Sequence, residues 1–307
     1  MKNFLIKKIK SWFFFEVWNV KIVKSDIEDG FEFNFDGLLL PIRSKIEFNA
    51  DPFIVERDNK LFVFVEKYSY LNKIGYIYCY VLNQNLKIID EFSVIKEKYH
   101  LSYPQVFEYE NCFYMIPESS QISQTWLYKA SEFPYKWEKV LMLFDNQKIV
   151  DSSIFFYNKK WWLFYSKLLP NKNNICEFHI AYSDNPINDS WNYHRKNPIY
   201  INNTKSRMAG QVINIDHRLF RPTQYCKNSY GEKIDLYQIE TLNEESFVEN
   251  YVSSIVSKEF DYNKGCHHIS YSKNFIAIDC KKFTFCWYKI LIRFLRKFVK
   301  IKIKFIS

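Results

Sequence analysis

From Ala50 onward the chain returns again and again to one pattern of apolar and polar positions. A small or polar step leads into an apolar strand, a short polar turn follows, and an aromatic-rich strand comes next. The units read ADPFIVERDNKLFVFVE from Ala50, SYPQVFEYENCFYMIPE from Ser102, VDSSIFFYNKKWWLFYS from Val150, AGQVINIDHRLFRPTQ from Ala209 and HHISYSKNFIAIDC from His267. Their starting positions, Asp51, Tyr103, Asp151, Ala209 and His267, lie 52, 48, 58 and 58 residues apart. Inside the first four units the turns are Arg57-Asp58-Asn59-Lys60, Tyr109-Glu110-Asn111, Asn158-Lys159-Lys160 and Asp216-His217-Arg218. Polar turns between alternating apolar runs predict hairpins. Further strand-like runs, such as Gly75–Val81 and Trp126–Ala130, complete about four strands per repeat, the make-up of a propeller blade. Five starts predict an all-β, five-bladed β-propeller. The fifth unit is short, so Val17–Ile46 is expected to supply its missing outer strand and close the ring. A solenoid would not need polar residues at every repeat start.

Composition agrees with strand. The chain holds 29 Phe, 23 Tyr and 8 Trp, residues that suit a pleated, half-buried surface. The net charge of +9 is unevenly spread: residues 281–307 carry nine Lys/Arg and no acid, residues 1–24 six Lys and one Glu, and residues 25–280 carry 28 basic and 33 acidic groups. A mildly acidic body argues against a nucleic-acid groove, and two basic ends point to an anionic surface. Residues 285–301 space Lys289, Arg293, Arg296, Lys297 and Lys300 among Trp, Ile, Leu and Phe. That spacing predicts a short basic amphipathic C-terminal helix, an interfacial anchor. The expected division is therefore a basic N-terminal segment 1–16, the propeller 17–282 and a basic tail 283–307. The seven Cys include no CxxC pair and read as reduced core residues. The apolar stretch Trp12–Phe15 is interrupted by Glu16, and no apolar run reaches membrane-spanning length. These features predict a cytoplasmic protein, peripheral at an inner membrane.

In a propeller the first strand of each blade lines the axis, so residues at repeat starts converge. Asp51, Glu118 and Asp151 are the candidate catalytic acids; three carboxylates at one axis can divide the work of glycosyl transfer. The opposing reading is that Asp51 and Asp151 cap blade-start turns. Arg207 and Arg221 are candidate anion-binding residues, with a structural ion pair as the alternative for Arg221. His100, Tyr103, Gln224 and His267 are candidate substrate-binding residues at the channel. No His/Cys spacing suggests a metal site, and no cofactor is expected.

The markers WNVKIV (Trp18–Val23), ADPF (Ala50–Phe53), HLSYP (His100–Pro104), YMIPE (Tyr114–Glu118), WLYKASEFPYKWE (Trp126–Glu138), VDSSIF (Val150–Phe155), WWLFYS (Trp161–Ser166), RMAGQV (Arg207–Val212), LFRPTQ (Leu219–Gln224) and GCHH (Gly265–His268) occur in this order. Together they resemble the propeller domain at the N-terminus of plant glucosamine inositolphosphorylceramide transferases. Similar domains occur in bacterial surface-polysaccharide proteins, some joined to formyltransferase modules. More distantly the layout is similar to five-bladed glycosidases of the arabinanase and levansucrase kind, which place acids at blade starts. The activity of the plant members' separate transferase domain is not carried over, but the resemblance, the acid-lined channel and the basic tail together point to a glycosyltransferase-like protein of capsule or lipopolysaccharide assembly. It would use a sugar donor, such as a nucleotide sugar, and a lipid-linked glycan acceptor. A non-catalytic sugar-binding propeller serving a partner enzyme and a glycoside hydrolase are the alternatives.

Overall fold

The computed structural model describes residues 12–25, 36–44, 46–170, 175–188, 190–257, 262–287, 289 and 291. Strands β1 (Phe14–Lys24) and β2 (Gly37–Leu39) come first. Blade one is β3 (Glu47–Arg57), β4 (Lys60–Ser69), β5 (Ile74–Asn83) and β6 (Ile88–Ile95). Blade two is β7 (Ser102–Tyr109), β8 (Cys112–Glu118), β9 (Thr125–Glu132) and β10 (Lys136–Phe144). Blade three is β11 (Ile149–Tyr157), β12 (Lys160–Leu168) and β13 (Cys176–Ser183), with the short β14 (Asn192–Tyr193) and β15 (Tyr200–Asn202) both on β13. Blade four is β16 (Ile213–Ile215), β17 (Arg218–Tyr225), β18 (Lys233–Leu242) and β19 (Phe247–Ile255). The fifth sheet has the order β2-β1-β21-β20, with β20 (Ile269–Tyr271) innermost and β21 (Phe275–Phe285) beside it. The five-bladed propeller is thus present.

Two backbone devices repeat from blade to blade. The inner hairpins turn through paired left-handed residues: Asp58 and Asn59 (φ 50° and 57°), Glu110 and Asn111 (48° and 59°), Asn158 and Lys159 (50° and 62°), Asp216 and His217 (49° and 63°). Two positive φ values define a type I′ turn, whose twist matches the flanking strands. At the opposite end, Asp51, Tyr103 and Asp151 are also left-handed (φ 49°, 48° and 52°), each inside a register slip: Ala50/Phe53, Ser102/Gln105 and Val150/Ser153. Such a bulge places extra residues on the inner strand and re-aims a side chain.

Consecutive blades are stitched near the axis. Gln105 Nε2 donates to Ile154 O (2.8 Å) and its Oε1 accepts from Ile154 N (2.7 Å). Ser153 Oγ accepts from Val212 N (3.3 Å), and Ser270 Oγ from Ile54 N (3.1 Å). Farther out, five buried clusters fill the wedges between neighbouring sheets, as in Phe62, Phe64, Met115 and Tyr128 between blades one and two. The aromatic content of the chain is spent in these wedges, where a ring covers the widening gap between two diverging sheets.

Closure differs in detail from the sequence reading. β1 pairs with β21 along its whole length, from Phe14↔Phe285 to Lys24↔Phe275, and β2 forms the outer edge. The sheet therefore extends three residues past each expected boundary, to Phe14 and Phe285. The basic tail expected from residue 283 begins as strand over Phe283–Phe285, so the expected helix over 285–301 does not start at Phe285. Most of its remainder, 292–307, lies outside the described residues, as do residues 1–11 of the basic N-terminal segment. One 3-10 turn, Ser120–Ile122, follows Glu118.

Candidate functional site: an acidic pit on the axis

The bulges bring Asp51, Tyr103 and Asp151 to one end of the axis. The exits of the second strands bring Glu66 and Glu118 to the same level, since Ala50 pairs with Glu66 and Ser102 with Glu118. Blade four contributes Arg207 and Gly210; blade five contributes His267, His268 and Asp279. Asp51, Asp279, His267, His268 and Tyr103 are buried and form the floor. Glu118, Arg207, His100 and Tyr230 are half-buried and mark the mouth.

The floor is a network centred on Asp279. Asp279, fully buried, accepts from the backbone N–H of His267 (3.0 Å), His268 (2.9 Å) and Asp51 (3.1 Å). The His267 ring lies between two carboxylates, with Nδ1 2.8 Å from Asp279 Oδ2 and Nε2 3.2 Å from Asp51 Oδ1. Burial opposes a charge on His267, but the two carboxylates outweigh it and raise its pKa well above the usual value. Asp51 also accepts from Tyr103 N–H (3.2 Å). Burial alone would raise Asp51; its contact with His267 and the charge of Arg207 prevail and lower it to about 2. His268 is fully enclosed against Phe53 and Tyr103, and burial lowers it to about 4, so it is neutral.

The mouth is different. Burial and the neighbouring charge of Asp151 raise Glu118 to about 8, against Arg207 and a hydrogen bond from Ser120 Oγ (2.7 Å). Burial and Asp51 raise Glu66 well above the carboxylate range. Its Oε1 lies 3.5 Å from His100 Nε2, and His100 Nδ1 accepts from Gly75 N–H (2.9 Å), so the ring turns its other nitrogen to the acid. Asp151 and Arg207 form a two-point ion pair, with Arg207 Nη2 3.0 Å from Asp151 Oδ1 and Nε bonded to Oδ2. At neutral pH the site thus holds an ionised Asp51 and a protonated Glu118. Splitting the protonation of two acids by their surroundings is how a site obtains an acid and an anion from the same side-chain type.

Of the residues singled out from sequence, Asp51, His100, Tyr103, Glu118, Asp151, Arg207 and His267 converge here. Tyr103 is a crossbar rather than a stacking platform: its hydroxyl donates to Gly210 O and accepts from Gly210 N–H, both at 2.9 Å. Arg221 lies elsewhere. Its guanidinium is fully buried in blade four, paired with Glu249 (Nε–Oε2 2.7 Å, Nη2–Oε1 2.6 Å) and stacked 4.3 Å over Phe178. The structural ion pair, not anion binding, is its role. Gln224 is also tied down, its Nε2 donating to Met208 O (2.9 Å). Asp51, His267 and Asp279 offer ligand atoms within 4.8 Å of one another. Two carboxylates and one imidazole are a donor set that suits a divalent cation, and the same three groups pair with one another here. A separate cleft of about 520 Å³ opens at the turn end of the propeller, lined by Arg57, Lys60, Phe62, Phe133, Pro134 and Tyr135. It is larger in volume than in chemistry: none of the pit's acids reaches it.

The sequence profile described as glucosamine inositolphosphorylceramide transferase 1, N-terminal, matches residues 42–275, more than half of the chain. The chain belongs to this family of N-terminal domains. Over 210 residues it is 37% identical to glucosamine inositolphosphorylceramide transferase 1 of Oryza sativa subsp. indica, which covers 66% of this chain and 27% of the relative. The protein of the same name from Arabidopsis thaliana is 35% identical over 217 residues, again 66% of this chain and 27% of the relative. The chain therefore spans about a quarter of the length of these curated relatives. Among solved structures, the catalytic domain of an α-L-arabinofuranosidase from Coprinopsis cinerea superposes with a TM-score of 0.57 at 10% identity, over 86% of this chain and 98% of that one. That likeness concerns the fold alone.

Within the family segment, sequence reasoning missed Glu66 and His268; just beyond it, it missed Asp279. Glu66 carried a usable signal, because the first two repeats, ADPFIVERDNKLFVFVE and SYPQVFEYENCFYMIPE, end on Glu66 and Glu118 at the same position. Asp279 carried none: the fifth unit has no bulge, and its importance lies in three backbone N–H groups that only the folded chain aims at it.

Proposed function

We propose that this chain is a carbohydrate-active, glycosyltransferase-like propeller whose axial pit takes a sugar. The observation that carries the reading is the split protonation of Glu118 and Asp51 around one opening. A protonated Glu118 at the mouth can give its proton to a leaving glycosidic or phosphate oxygen. Asp51 supplies a fixed negative charge beneath the electron-poor anomeric centre. Arg207, half-buried and held by Asp151 through Nε and Nη2, keeps its Nη1 side for a phosphate-bearing donor such as a nucleotide sugar. The family relationship supports sugar donor and glycan acceptor as the substrate classes. We place the chain in the assembly of a bacterial surface polysaccharide, capsule or lipopolysaccharide, acting on a lipid-linked glycan at the cytoplasmic side of the inner membrane. The test is transfer of labelled sugar from a panel of nucleotide sugars to lipid-linked acceptor. Wild type should transfer, and Glu118→Gln should lose nearly all of that rate, with both proteins equally folded.

One observation favours a second reading, a non-catalytic sugar-binding propeller that serves a partner enzyme. Asp51 is already engaged by Tyr103 N–H and His267. An acid so engaged is an anchor of the floor as much as a reagent. Under that reading Glu118→Gln keeps full biological activity.

A further inference from the structure

β21 does not stop at the pit. From Asp279, at the floor, it continues six residues to Phe285, a run of about 20 Å in an extended strand. Successive side chains alternate sides, so Lys281, Phe283 and Phe285 share one face, and Trp287 follows in the turn just past the strand. Lys281 is buried, with Nζ bonded to Tyr230 O at the pit. Past that point the same face emerges into solvent, with Phe283 49% and Phe285 59% exposed, and Trp287 just beyond the strand is 66% exposed. Trp12, beside the start of the paired strand, is 46% exposed. The solvent face of an antiparallel sheet ordinarily carries polar groups; here the far end of β21 carries aromatic rings, at the end of the propeller where the pit opens. The opposite face is conventional, with Phe15 buried against Tyr70 (ring centroids 4.2 Å) and Cys286 buried.

The register adds a second fact. Because Phe14 pairs with Phe285, the two ends of the chain leave the propeller from the same edge. Residues 1–11 carry four Lys and residues 292–307 six Lys/Arg, with no acid in either. Both basic ends therefore start beside the aromatic row. Glu16, opposite Phe283 on β1, is an acid on this face, and Lys281 Nζ lies 3.6 Å from its Oε1. Rings that prefer the headgroup level of a bilayer, with basic segments on both sides, match an anionic membrane interface.

We propose that the Phe283–Phe285–Trp287 row is a membrane-docking edge that seats the pit's mouth against an anionic bilayer. The proposal extends the reading above to a surface and stands whether the pit is catalytic or only binds. A second copy of this chain and a free glycan are the other occupants such a row could accept, and charge argues against the first, since two such edges repel.

The experiment is co-sedimentation of the full chain with vesicles of phosphatidylglycerol and phosphatidylcholine, alongside vesicles of phosphatidylcholine alone. Wild type should pellet with the anionic vesicles, and Phe283→Ser/Phe285→Ser/Trp287→Ser should lower the bound fraction at least tenfold at the same salt. The wild-type protein gives an independent readout: lipids brominated on their acyl chains should quench its tryptophan emission, and Trp287→Phe should remove most of that quenching. Wild type that ignores anionic vesicles, or a triple variant that binds them as well, overturns the proposal. So does a wild-type dimer in solution that the triple variant loses, which assigns the row to a second copy. Retention on an oligosaccharide column separates the two readings. The triple variant should keep it, whereas loss of retention with intact vesicle binding in wild type would defeat the sugar-site reading alone.

Discussion

Glu118 is the residue on which the chemistry turns. Burial and Asp151 hold its proton up to about 8, while an unfolded chain releases it near 4.5. The native state thus binds a proton that the unfolded state loses, and the stability this gives is full below pH 4.5 and fades as pH rises to about 8. Glutamine mimics the protonated acid, so Glu118→Gln should melt with wild type at pH 5 and above it at pH 9. Thermal scans at the two pH values check this; identical offsets at both would mean that Glu118 ionises normally. In a transfer assay the same variant should lose about 10²–10⁴-fold in rate, the usual worth of a general acid. Asp51 runs the other way. Its depressed pKa, about 2 against 3.8, gives stability that is present above pH 3.8 and lost as pH falls through 2. Removing it leaves His267 charged in the floor with one carboxylate, so Asp51→Ala should cost about 3–5 kcal/mol in denaturant unfolding. At this scale the sequence was half legible. Acids at repeat starts and ends announce themselves by position, but Arg221 looked like a ligand-binding cation because nothing in the sequence points to Glu249, 28 residues away and bonded to it across β17, β18 and β19.

Among the elements, the inner hairpin of each blade explains why the acids converge. The I′ turn at one end fixes register, and the left-handed bulge residue at the other turns its side chain onto the axis. Blade four uses Gly210 where blades one to three use Asp51, Tyr103 and Asp151. Its φ is 131°, and a Cβ there would sit 1.8 Å from Ile269 O. Gly210→Ala should therefore destabilise by about 2–4 kcal/mol and loosen the Tyr103 crossbar, read as a lower midpoint and a perturbed near-ultraviolet signal. The turns were legible because Asp, Asn and Glu-Asn pairs stood between alternating apolar runs. The exact closing strand was not, because Phe13–Phe15 reads as apolar whether it belongs to a tail or to a sheet, and only pairing with Phe283–Phe285 decides it.

For the whole molecule, five aromatic wedges and one N-terminal closing strand hold the ring. Truncation after Lys282 would remove the three ladder pairs Phe14↔Phe285, Phe15↔Thr284 and Glu16↔Phe283 and would damage closure. Truncation after Leu291 spares the sheet, so that variant should keep a single cooperative melt while its affinity for anionic vesicles falls, and more steeply at low salt than at high salt. An unfolded product would show that residues beyond 291 belong to the core. Repeat spacing made the five-fold architecture readable, since each blade is a local unit. The site was less readable because it joins residues from blades one to five, and pairings such as Asp51 with His267 span 216 positions of sequence. Whether the axial pit is the sugar site is decided by a crystal structure of the protein soaked with a nucleotide sugar or an oligosaccharide. The expected result is a sugar ring in the pit, within hydrogen-bond reach of Glu118 and Arg207 and above Asp51. A sugar bound instead in the cleft beside Arg57, Phe62 and Tyr135, with the pit untouched, would contradict it.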